Sequence, residues 1–274
     1  MYKRIVALAL VLTFALSMTA LAVPSLPGST PPVAEEPIIA EDQAEHPVVV
    51  TVEPVIIERD GEVVVRADET GVHILARVLL TQEEIQSLIP LARTALETRM
   101  SPHPNRAMTA EELVAWNLEY DTLGGMNQQE LEILYAANEV RIGYNLTPFA
   151  LCPALNRASR LHSNLRTDGL ARGHNDPFYG PNDPTHGQPA RGRVFLFDSF
   201  APVVSTGRPR SFIGENIAGG MGDRVVESWR NSTAGHAGVF SNSTWQDIHV
   251  GFGQTASYNT EGTGSVTMKI NAVR

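Results

Sequence analysis

Of 274 residues, one is a cysteine, Cys152. A single thiol cannot close an internal disulfide or build a cysteine zinc site, so stability has to come from a packed core. Beyond the amino terminus, no apolar run approaches the roughly 20 residues that a membrane-spanning helix needs. Positive charge is also scarce: 21 Lys and Arg stand against 30 Asp and Glu, for a net charge of −9. That balance excludes long-range attraction to nucleic acid or anionic lipid, and loss of Lys3 and Arg4 with a leader makes it more acidic.

The chain begins Met1-Tyr2-Lys3-Arg4, continues with an apolar stretch from Ile5 to Leu16, and then has Thr19-Ala20-Leu21-Ala22. This is the order of a secretory signal peptide, so cleavage is expected after Ala22 and the mature chain is expected to be secreted. A retained amino-terminal anchor is the alternative. Residues 23–46 combine prolines, acids and small residues without a period, as an extended or disordered linker does. About 250 residues remain, enough for one sizeable core plus a smaller unit.

The region 47–125 is expected to be a small accessory α+β unit. Asp60-Gly61 lies between two β-branched runs, a hairpin signal, and a β-meander should end near Val78. Thr81 with Glu84 and Thr109 with Glu112 have capping-box spacing, and Pro90 should kink or divide the first of these helices. Gly124-Gly125 stops the second. His73 and His103 stand alone and are expected to pack or to be solvated.

From Asn127 onward the patterning changes. Asn127 with Glu130 starts a helix with Leu131, Leu134, Tyr135, Asn138 and Ile142 on one face, and Gly143 ends it. Pro153 opens a second helix with Leu155, Ala158, His162 and Leu165 on its stripe, on which Cys152 is expected as a small buried residue. Gly173 to Arg193 has the composition of a surface loop. A third helix runs from Asp223 to Ser232 with Val225 and Trp229 on one side. Ile248–Phe252 and the alternation of Ser265–Ala272 are two strands, and Val194–Phe197 is a further short strand.

The chemistry-bearing residues gather around Gly214-Glu215-Asn216-Ile217-Ala218. With His174 before it and His236 after it, one cleft can receive two imidazoles and a carboxylate, a donor set that suits a divalent metal such as zinc with water in the fourth place. No close His-x-x-x-His pair fixes two ligands on one helix, so that site depends on tertiary assembly. The structural reading of Glu215 is a carboxylate in a Gly-flanked turn that accepts backbone N–H bonds. His162 is expected to be a hydrogen-bonded core histidine, and His186 and His249 are weaker candidates. Ser232 near His236 lacks a nucleophile elbow or an oxyanion hole.

Several segments together resemble one family. Asn138-Glu139-Val140-Arg141, the helix from Cys152 to Leu165, Arg172-Gly173-His174-Asn175-Asp176-Pro177, Gly214-Glu215-Asn216-Ile217-Ala218, Trp229 with Ser232-Thr233-Ala234-Gly235-His236, and Gly251-Phe252-Gly253 are similar in order and spacing to the CAP superfamily. Its members are the cysteine-rich secretory, antigen 5 and pathogenesis-related 1 proteins, also called SCP domains. The resemblance covers about residues 127–274 and is closest to bacterial members. It implies an α/β/α sandwich with a central antiparallel sheet, within an overall α+β chain. It also implies a cleft at His174, Glu215 and His236, with Asn216 and Trp229 as structural positions and Ser232 where fuller members carry a second glutamate. The function so implied is a secreted binding or interaction module, with a small lipid or an extracellular surface protein as partner and no nucleic acid. A metal-dependent extracellular hydrolase using the same cleft and a structural cell-surface protein are the alternatives.

Overall fold

The computed structural model describes residues 53–175, 177–179, 189–197, 211–233, 235–241, 248–255 and 263–271. The leader, the 23–46 linker and His186 lie outside the described residues, as does the side chain of His249. The described chain is α+β. None of its helices is long and apolar enough to cross a membrane.

Three strands come first: β1 (Val55–Arg59), β2 (Glu62–Asp68) and β3 (Gly71–Ile74), an antiparallel meander in the order β1-β2-β3. Asp60 and Gly61 turn the first hairpin with φ of 52° and 80°, the two positive values that suit the twist of a two-residue turn. Helix α1 (Gln82–Leu88) is capped at Thr81, and Pro90 converts its continuation into a short 3-10 turn, Ile89–Leu91. The division expected at the proline is therefore present. Helix α2 (Ala110–Thr122) begins at the Thr109 and Glu112 capping box and stops just before Gly124, where φ is +106°.

Helix α3 (Gln128–Gly143) starts at the third capping box, Asn127 with Glu130. Its buried stripe departs from the expected one at the far end, where Arg141 is buried and Ile142 is 47% exposed. Arg141 is held inside by its Nε bond to the Thr147 carbonyl and by the Phe149 ring, 4.4 Å from its guanidinium carbon. Strand β4 (Ala150–Leu151) leads directly into α4 (Pro153–Thr167), a helix buried around most of its circumference. Cys152 is buried there against Leu155, Ala158 and Val194, as a small apolar residue.

The second sheet has the order β4-β6-β7-β5, with β5 (Ser211–Gly219), β6 (Ile248–Thr255) and β7 (Thr263–Asn271). The β5, β6 and β7 pairings are antiparallel, and the two-residue β4 joins β6 in parallel, so the sheet is mixed at one edge. Helices α5 (Pro189–Phe197), α6 (Asp223–Arg230) and α7 (Gly238–Ser241) complete the described elements. Three expectations are corrected. The loop expected from Gly173 to Arg193 gives way to helix at Pro189, where α5 begins. Val194–Phe197 is the end of α5 rather than a strand, because a short apolar run does not distinguish the two and packing of Val194 against α4 decides it. Gly214–Ala218 is not a turn but the middle of β5, with Glu215 opposite Thr267 and Asn216 opposite Val266.

One apolar core links Val65, Val72 and Ile85 of the amino-terminal elements to Leu131, Leu134, Trp229 and Val250. Residues 53–125 thus share packing with the later elements. Bridging bonds between Val78 and Leu151 join the two across the backbone.

Past Val250, α4 takes the place of a neighbouring strand along β6. Ser159 Oγ donates to the Gly251 carbonyl at 2.9 Å, Asn156 Oδ1 accepts from Phe252 N at 3.1 Å, and Ser163 Oγ accepts from Thr255 N at 3.1 Å. These side chains satisfy edge groups that would otherwise be left unpaired. So close an approach needs Gly251 and Gly253: a β-carbon at either would overlap the backbone of α4, at Leu155 and Ser159 respectively. We expect Gly253→Ala to cost about 1 to 3 kcal/mol through overpacking. Gly143→Ala, with open space around it, is the control and should be near neutral. Equal urea midpoints for the two variants would refute this account of the glycine.

Candidate functional site

Alternation along β5 sends neighbouring side chains to opposite faces of the sheet. Glu215 turns toward α4 and α5. Asn216, buried, turns the other way, where its Nδ2 donates to the backbone carbonyl of His236 at 3.3 Å. The sequence motif is therefore divided between two sides, one carrying charge and the other fixing the segment after α6.

The carboxylate of Glu215 is 3% exposed and has a partner at each oxygen. His162 Nδ1 on α4 lies 2.9 Å from Oε1, and Arg193 Nη2 on α5 lies 2.5 Å from the same oxygen. His174 Nδ1 lies 2.9 Å from Oε2. The side chains of His162 and Arg193 are fully buried, whereas that of His174 is 51% exposed. Burial pushes the Glu215 carboxyl upward. The Arg193 charge, with the hydrogen bonds from His162 and His174, outweighs it and holds the group well below the usual carboxylate range. Glu215 is ionised at any ordinary pH.

An ionised carboxylate only accepts hydrogen bonds, so each histidine donates from Nδ1. In neutral His174 the remaining nitrogen, Nε2, is then an acceptor, carried on an imidazole half open to solvent. The geometry yields an oriented imidazole on a locked anionic base.

The structure brings His174 and Glu215 into contact. Among the described residues, the link between His236 and the motif is the backbone bond to Asn216. Ser232 follows α6, and its N–H donates to the Trp229 carbonyl at 3.2 Å in the turn that closes the helix. Trp229 is buried and stacks on Phe240, with ring centroids 6.3 Å apart. Sequence reasoning missed two members of the cluster. His162 was legible as a buried histidine, and a buried titratable group requires a partner, which is the signal that points to it. Arg193 had no local signal, because only the helical conformation of Pro189–Phe197 carries it to the carboxylate.

A divalent metal fits this donor set poorly. Arg193 already neutralises Glu215 and occupies Oε1, so an incoming dication meets a guanidinium at its carboxylate ligand. Among the described residues, no group of three His, Cys, Asp or Glu side chains has the arrangement of a metal site.

No protein-family model and no curated protein matches the chain. Among solved structures it is similar to an outer surface protein from Borrelia burgdorferi, at 17% identity and a TM-score of 0.38, over 53% of this chain and 94% of that one. It is also similar to an extracellular protein containing an SCP domain from Bacillus anthracis, at 15% identity and a TM-score of 0.37, over 79% of this chain and 67% of that one. Likeness of this degree carries no argument about function.

Proposed function

We propose that the chain is a secreted CAP-type binding module, with helices on both faces of its second sheet and the Glu215 cluster as its polar focus. The observation that carries this reading is the saturation of Glu215 by Arg193, His162 and His174. A carboxylate held ionised by a buried guanidinium is a poor general base, because its proton affinity has been lowered rather than raised toward neutrality. It is well suited to positioning His174 for contact with a ligand or an extracellular surface. The leader-like amino terminus and the motif order from Asn138 to Gly253 support the secreted CAP assignment.

Zinc separates this reading from the metallohydrolase alternative. Calorimetric titration of the full chain with zinc is expected to give no saturable one-to-one binding at neutral pH, with the same result for His174→Ala. Stoichiometric binding that disappears in both His174→Ala and His236→Ala would overturn the binding-module reading in favour of the metal site.

A further inference from the structure

A second polar concavity lies away from Glu215, where β2 and β3, the end of α2 and the start of α4 come together. It is a cavity of about 500 Å³, lined by the three arginines Arg66, Arg93 and Arg157 against one carboxylate, Asp121. That size suits a small molecule. The chain as a whole carries a charge of −9, so this concentration of guanidinium groups runs against its composition.

The arginines are incompletely used. Arg157 Nη2 donates to both oxygens of Asp121, at 2.8 and 3.1 Å, but its Nε is buried without a hydrogen-bond partner among the described residues. Arg93 makes one long bond, 3.5 Å, to the Thr122 carbonyl, and Arg66 lies 3.2 Å from Asp68 with its side chain 48% exposed. Among the described residues, then, the cavity's guanidinium groups have few acceptors: one carboxylate pair, one long carbonyl bond and one partly exposed pair.

The surroundings are shaped for a ligand. Gly125 lines the cavity at φ +66°, where the close approach of the Val72 carbonyl and the His73 ring leaves no room for a β-carbon, so glycine lets the backbone pack tightly at the cavity wall. Helix α4 begins beside it at Pro153 with no side-chain cap, which adds the positive end of a 15-residue helix to the guanidinium charge. Ile74 and Leu75 supply an apolar wall.

We propose that this cavity binds a small organic anion, with a phosphate or carboxylate group bridging the three arginines and its apolar part against Ile74 and Leu75. Planar guanidinium forks match either oxyanion. His73 is the internal reporter. Its Nε2 lies 3.1 Å from the Thr70 hydroxyl. Burial and the charges of Arg66 and Arg157 hold its imidazole below the ordinary value, against the opposing pull of Asp121 and Asp68. An anion among these groups raises it.

The test is NMR of the full chain labelled at histidine, titrated at constant ionic strength with phenyl phosphate and separately with benzoate. A saturable shift of the His73 ring signals is expected, with affinity about tenfold or more weaker in Arg157→Gln and unchanged in Arg59→Gln, outside the cavity. Tighter binding of phenyl phosphate identifies a phosphate headgroup and tighter binding of benzoate a carboxylate. If Arg157→Gln does not fold, Arg66→Gln at the exposed rim is expected to weaken binding in the same sense. No saturable shift with either anion, or equal affinity in wild type and the arginine variants, overturns the proposal.

Discussion

Glu215→Gln is expected to lower the folding stability by about 3 to 5 kcal/mol at neutral pH, because it removes the charged partner of the buried Arg193 guanidinium. Arg193 is fully buried and pairs with Glu215, and His162 on the opposite helix donates to the same oxygen. A glutamine keeps the shape but presents one acceptor and an N–H₂ group where His162, His174 and Arg193 all donate. The pH dependence distinguishes lost charge from lost packing. The folded carboxyl lies below its ordinary value of 4.5, so its contribution is full above that value and is lost as pH falls through the folded pKa. Wild type and Glu215→Gln should therefore differ most at neutral pH and converge on acidification, as both then carry a neutral group. Denaturant titrations across that range check this. A gap below about 1 kcal/mol, the worth of an exposed pair, would mean that the cluster does not hold the fold.

Glu130→Gln is expected to have an effect of the same order, about 3 to 5 kcal/mol, at the ion pair that joins α3 to α4. The side chains of Glu130 and Arg160 are 0% and 1% exposed. Arg160 Nε and Nη2 each lie 2.6 Å from a carboxylate oxygen, and the same oxygens accept from the backbone N–H groups of Gln254 and Asn127. One carboxylate thus caps a helix, binds a buried arginine and secures a strand end. Replacing both members with Met should recover only part of the loss, because the Asn127 and Gln254 N–H groups remain without acceptors at about 1 to 3 kcal/mol each. Full recovery in the double variant would show that those backbone bonds contribute little. Arg160 also precedes His162 on α4, so the histidine signals at Glu215 should broaden or shift in the single variant.

What the sequence disclosed is local. The three capping boxes, the Asp60-Gly61 hairpin, the break at Pro90 and the burial of His162 all rest on contacts a few residues apart or on a single periodicity. Such contacts form in the same way whatever surrounds them. The Gly251-Phe252-Gly253 pattern was visible but unexplained until α4 was found lying along β6. Val194–Phe197 misled because four apolar residues fit a strand or a helix equally well, and Ile142 misled because a helical stripe does not foretell that Arg141 will find a carbonyl and a ring inside.

The candidate site stands at the other extreme. Sequence alone pointed to Glu215, His174 and His236 as chemistry-bearing residues, excluded an internal disulfide, and marked the three capping boxes at which α1, α2 and α3 begin. The tertiary structure decided the rest: Glu215 meets His162, His174 and Arg193, which are 53, 41 and 22 residues away, and the pleat of β5 sends Asn216 to the opposite face. A buried carboxylate takes whatever donors the packing of distant elements brings within 3 Å, and no short-range pattern records that choice.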